Sequence, residues 1–157
     1  MASTRRRLIF IVSAVAIAAA GFRYGYLIRG GVTAGLESRA RAGSPQTFQL
    51  ADITGFPWDR VVFLGPYDNQ AMADRALGFH WSDFRLFGLE SSDGFSLIIF
   101  ANAGRVVRAE KIGRCRPDMA KELRGIAVSR EGARFTVVTS SDCPRLTLAT
   151  GSTSIER

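Results

Sequence analysis

Gly55 to Asn69 reads GFPWDRVVFLGPYDN, and the rest of the fold can be worked outward from it. The run Trp58 to Leu64 is β-branched and aromatic, the composition of a strand. Gly65-Pro66 ends that strand, because proline has no N–H to give to a ladder. Asp68 or Asn69 offers a capping oxygen and Gly78 a left-handed stop, so a helix is predicted over Gln70 to Leu77. Trp58 is expected to pack over the sheet with its indole N–H seeking an acceptor. Asp59 and Tyr67 have no such folding job and head the candidate binding residues.

Further strands are predicted downstream. Phe84 to Glu90 and Phe95 to Ala101 flank Ser91-Ser-Asp-Gly94, a hairpin signal, and Asn102-Ala-Gly104 turns the chain into Arg105 to Ile112. Together these read as a three-strand meander. Leu97-Ile-Ile-Phe100 is continuously apolar, which places its strand mid-sheet with both faces covered. Asp118 to Arg124 reads as a short helical turn. Ile126 to Ser129 and Ala133 to Ser140 flank Arg130-Glu-Gly132 as another hairpin, and Arg145 to Thr150 alternates as an edge strand should. The expected fold class is α+β: a twisted, mainly antiparallel sheet of about five to six strands with one helix packed on a face.

The N-terminus carries a different signal. Arg5-Arg-Arg7 precede an apolar run from Leu8 to Phe22. In one reading this is a signal peptide with an A-x-A site at Ala18-Ala-Ala20. In the other, Leu8 to Ile28 is a retained transmembrane helix, since about 20 apolar residues span the hydrocarbon core. Phe22, Tyr24 and Tyr26 suit an interfacial belt, and Arg23 lies near enough to the end to snorkel. The retained anchor is preferred. Either reading puts the domain outside the cytoplasm, inner-membrane anchored or, if cleaved after Ala20, secreted or periplasmic. The expected division is an anchor or signal over 1–29, a flexible tether over 30–45 with a short helix near Leu36 to Ala42 as an option, and an extracytoplasmic domain over 46–157.

Charge and cysteine content narrow the function. The chain carries a net +7 with an isoelectric point near 10.4. Residues 1–43 hold seven arginines against Glu37, a net of +6, which leaves +1 for residues 44–157. A nucleic-acid-binding domain keeps its positive charge on the folded surface, so no nucleic-acid partner is expected. Cys115 and Cys143 are the only cysteines, and in an oxidising compartment a pair reads as a disulfide. With one histidine and two bridged cysteines, no metal or other cofactor is expected. Arg105 to Arg134 holds nine basic residues against four acids. That segment is either a docking face for an acidic partner or a solvated surface with paired arginines.

Catalytic groups are sparse. His80-Trp81-Ser82-Asp83 is too compact in sequence for triad geometry, whose members converge from different directions. Asp52 and Asp59 are carboxylates whose separation the sequence does not fix. Trp58-Asp59-Arg60-Val61, Gly65-Pro66-Tyr67, Leu97 to Phe100 and Val106-Val107 together resemble small bacterial cell-envelope proteins of unknown function. Those have an N-terminal anchor or signal, a WD-x-V…PY strand and a vF-x-x-x-G-x-VV hairpin, and the likeness covers roughly residues 48–112. The resemblance implies a bacterial, extracytoplasmic domain and transfers no catalytic residue. The leading expectation is a non-catalytic domain that binds another envelope component, with Trp58, Asp59, Tyr67 and His80 as candidate binding residues. The alternatives are an envelope-polymer hydrolase using Asp59 and His80 beside Tyr67, or an inhibitor of a periplasmic hydrolase. Its oligomeric state is not legible.

Overall fold

The computed structural model describes residues 30–42, 45–119, 121–138, 142–150 and 154–155. The proposed anchor or signal, residues 1–29, lies outside them. Among the described residues no helix is long and apolar enough to cross a membrane.

The described residues are α+β, with two α-helices and two sheets among them. The helices are α1 (Gly31–Arg41) and α2 (Gln70–Leu77). A five-stranded sheet has the order β4 (Arg105–Gly113), β3 (Phe95–Asn102), β2 (Arg60–Leu64), β6 (Ala127–Ser129) and β9 (Ser154–Ile155). A four-stranded sheet has the order β1 (Gln46–Gln49), β7 (Arg134–Val138), β8 (Arg145–Leu148) and β5 (Asp118–Met119). All pairs are antiparallel except β5 with β8. The single sheet of five to six strands expected from the sequence is therefore two sheets.

Packing explains the division. Every side chain of β2 from Val61 to Leu64 and of β3 from Ser96 to Ala101 is buried. Alternate residues point to opposite faces, so this sheet must be covered twice. Val61, Phe63, Ile98 and Phe100 meet the four-stranded sheet and α1 through Phe48, Phe135, Val137, Leu146, Val32 and Leu36. Val62, Leu64, Leu97 and Ile99 face the other way, against Ala73 and Leu77 of α2 and against Trp81, Phe84, Phe87 and Leu89. Phe63 and Phe135 join the sheets edge to face, with ring centroids 5.3 Å apart. β7 buries only Phe135 and Val137, alternately, as a strand with one solvent face does.

Three local expectations change. The segment expected to be a flexible tether holds α1, with Val32 and Leu36 wholly buried, so it belongs to the core. Glu110 of β4 stabilises its start, accepting hydrogen bonds from the amides of Val32 (3.1 Å) and Thr33 (2.9 Å) and from the Thr33 hydroxyl (3.0 Å). Phe84 to Glu90 is not a strand. It forms 3-10 turns over Ser82–Phe87 and Leu89–Ser91, because Phe84 and Phe87 are buried while Arg85 and Leu86 are exposed, a period of three. The meander is thus a two-stranded hairpin. Asp118 to Arg124 divides into β5 and a 3-10 turn at Lys121–Leu123.

Helix α2 has the expected bounds. Asn69 caps it, its Oδ1 accepting from the Met72 amide at 3.1 Å, and Gly78 ends it at φ 79°.

Candidate functional site

The four candidate binding residues do not form one site. Trp58 is buried; its Nε1–H donates to Thr54 Oγ1 at 2.7 Å, and its ring meets Phe100 edge to face. Its role is packing. Asp59 stands at the start of β2 and accepts a 2.6 Å hydrogen bond from the amide of Ala103. Ala103 and Gly104 have φ 49° and 73°, the pattern of a two-residue type I′ hairpin turn. Asp59 therefore pins the β3–β4 turn, a folding job the sequence did not reveal. His80 is exposed, and its Nδ1 lies 2.7 Å from Asp74 Oδ2. Burial pushes the Asp74 carboxyl up, but hydrogen bonds from His80, the Trp81 amide and Gln70 together bring it below its ordinary value.

Tyr67 lies past the other end of β2. Five strand residues separate it from Asp59, a rise of roughly 16 Å. No hydrogen bond or ion pair among the described residues joins Asp59, Tyr67 and His80. Arg60, next to Asp59, reaches the Leu77 carbonyl at 2.9 Å, at the end of α2 that leads into His80.

What surrounds Tyr67 is a cleft of about 560 Å³, within the range of small-ligand sites. It opens where the two sheets part. One wall is the end of β2, the Gly65-Pro66-Tyr67 turn and Ser96 of β3; the other is Arg114, Asp118 and Met119 with Arg145 of β8. Lys121, Glu122 and Arg124 complete it. Cys115 and Cys143 are disulfide-bonded beside this second wall, with Cα atoms 4.8 Å apart. The bridge fits an oxidising, non-cytoplasmic location.

The Tyr67 turn is held from below. Asp68 is wholly buried, and its Oδ2 accepts from the Gly65 amide at 2.8 Å. Its Oδ1 accepts from Nε of Arg124 at 2.8 Å and also from Nη2. That bond holds the Arg124 guanidinium above its ordinary value, against a smaller opposing effect of burial. Gly65 makes room for the pair: a Cβ there would lie 3.1 Å from Arg124 Nε. The turn has proline at its second position and Tyr67 at its third with φ 64°, a place usually taken by glycine or asparagine. Left-handed backbone at a residue with a Cβ costs about 1–2 kcal/mol. The chain accepts that cost and leaves the ring 60% exposed on the cleft rim.

Four cations line the cleft, Arg114, Lys121, Arg124 and Arg145, against the carboxylates of Asp118 and Glu122. Arg114 binds Asp118 at 3.1 Å. The side chains of Lys121, Arg145 and Glu122 have no hydrogen-bond or ion-pair partner among the described residues. Most of the basic run Arg105 to Arg134 is otherwise paired or stacked: Arg108 lies over Phe56, Lys111 over Phe95 and Arg130 over Trp58, and Arg116 meets Glu37. The run is thus split among several surfaces. Its charge asymmetry was a signal for Arg114, Lys121 and Arg124, but Arg145 reaches the cleft only through the parallel β5–β8 pairing.

No protein-family model, no curated protein and no solved structure matches this chain.

Proposed function

We propose that this chain is a non-catalytic binding protein of the bacterial cell envelope, tethered to the membrane or exported by its N-terminal apolar segment. Its ligand, another envelope component, sits in the cleft beside Tyr67. The observation that carries this reading is the Tyr67 turn, a strained backbone braced by the ion pair of Arg124 with the buried Asp68 carboxylate, which presents an exposed aromatic ring over a pocket with unpaired charges. Strain of this kind concentrates at ligand sites. The Cys115–Cys143 bridge supports a location outside the cytoplasm. Helix α1 supports the tethering: it begins at Gly31, so only Arg29 and Gly30 separate the folded domain from the candidate span Leu8 to Ile28. Two residues span at most about 7 Å, which holds the domain at the membrane surface when the segment is retained.

The hydrolase alternative with Asp59 and His80 draws no support from the cleft, since Asp59 pins a hairpin turn and His80 pairs with Asp74. The test is recovery of partners from envelope extracts by the tagged full chain under mild crosslinking, compared with a Tyr67→Gly, Arg145→Gln variant. Glycine suits the left-handed backbone, so the variant keeps its fold. A component recovered by the wild type and lost from the variant supports the reading. Equal recovery by both, or none by either, overturns it.

A further inference from the structure

We infer that the cleft takes a phosphorylated saccharide, an inference that rests on the binding function proposed above and names its ligand. Three features of the cleft point to that chemistry together. Its cations come from separate elements: Arg114 from the turn after β4, Lys121 from the 3-10 turn and Arg124 just after it, and Arg145 from β8. Donors arriving from several directions match the divergent oxygens of a phosphate, whereas a planar carboxylate is satisfied by one guanidinium fork. Lys121 and Arg145 are the pair left without protein carboxylates, so they are the groups an incoming anion meets first.

A bare anion does not account for the rest of the lining. Glu122 contributes an unpartnered carboxylate to the same cleft, and Ser96 contributes a largely buried hydroxyl. Glu122 repels an anion but accepts hydrogen bonds from hydroxyl groups. The ligand therefore carries donors as well as negative charge. Tyr67 supplies the third feature, an exposed ring on the rim whose face suits the C–H face of a pyranose and whose hydroxyl can bond to it. A nucleotide would also bring a phosphate and a flat ring, but a base is gripped between two apolar faces. Of the other apolar residues that line the cleft, Phe63 and Leu64 are wholly buried, which leaves only Pro66 and Met119 to meet a base.

The test is an NMR titration of the isotope-labelled full chain in an uncharged detergent, with glucose 1-phosphate as the probe. Glucose, glucuronate, inorganic phosphate and adenosine monophosphate are the comparators. The expected result is shifts at Tyr67, Lys121 and Arg145, with glucose 1-phosphate binding about tenfold more tightly than glucose, glucuronate or phosphate. Tyr67→Gly is expected to remove the advantage over inorganic phosphate, and Arg145→Gln to weaken glucose 1-phosphate and phosphate alike. Equal binding of inorganic phosphate, tighter binding of adenosine monophosphate, or no shift at these residues overturns the inference. The two proposals fail separately. A partner recovered in a Tyr67-dependent way that carries no phosphosugar refutes the ligand class and leaves the binding function standing. Loss of that dependence removes both.

Discussion

Replacing Glu110 with alanine tests how the chain becomes a single folded unit from Gly31 onward. Glu110 is 1% exposed and joins β4 to the start of α1, 77 or more residues away in sequence. Helix α1 has no capping side chain of its own at Gly30, so Glu110 does that work from outside. The substitution removes two charge-assisted bonds to backbone amides and one to the Thr33 hydroxyl. A lost cap costs about 1–2 kcal/mol. It also strips Arg108, whose side chain is 14% exposed, of a carboxylate 3.5 Å away, and breaking a buried pair costs about 3–5 kcal/mol. Arg108 keeps its stacking on Phe56 and the carboxylate's own burial cost disappears, so the expected net loss is about 3 kcal/mol. Glu110→Gln keeps an acceptor oxygen and should lose about half as much. Urea unfolding of the full chain in mild detergent reads the loss, and hydrogen exchange over residues 31–41 locates it. A loss below about 1 kcal/mol, with α1 amides protected as in the wild type, would refute the reasoning.

Other outcomes follow from single features. Ala103→Asn should raise stability by about 0.5–1 kcal/mol, because asparagine tolerates the left-handed turn that Asp59 pins, and a raised thermal midpoint checks it. Asp74 titrates lower folded than unfolded, so the unfolded chain binds more protons and the stabilisation is complete above the unfolded value near 4. It is lost as pH falls through the lower folded value. The stability difference between wild type and Asp74→Asn should thus be larger at about pH 5 than at about pH 3, read from urea midpoints. Reducing the Cys115–Cys143 bridge, which closes a separation of 28 residues, should cost about 3.6 kcal/mol by chain entropy. It should also raise hydrogen exchange in residues 113–118, the cleft wall that holds Arg114.

What the sequence revealed, and what it hid, follows from the range of the interactions. The apolar runs of β2 and β3, and the Asn69 and Gly78 ends of α2, are local signals and were legible. Helix α1 was not, because its two core residues, Val32 and Leu36, stand among small and charged ones and its cap comes from Glu110. Phe84 to Glu90 carries strand-forming side chains, but its burial has a period of three, set by what α2 leaves uncovered. Strands β1, β7, β8 and β5 form a second sheet only because β2 and β3 have two apolar faces to cover. Tyr67 was legible as a side chain without a folding role. Its cleft was not, since the lining comes from four stretches brought together by the β5–β8 and Phe63–Arg124 pairings.

The most direct measurement of the central claim is site-specific photocrosslinking of the full chain in its own cells. A benzophenone side chain is placed at Tyr67, and in a second strain at exposed Arg75 of α2 as a control. The binding account predicts a discrete adduct from position 67, absent from position 75 and lost when Arg145→Gln is added. Adducts of equal yield from both positions, or an adduct at 67 indifferent to Arg145, would contradict it.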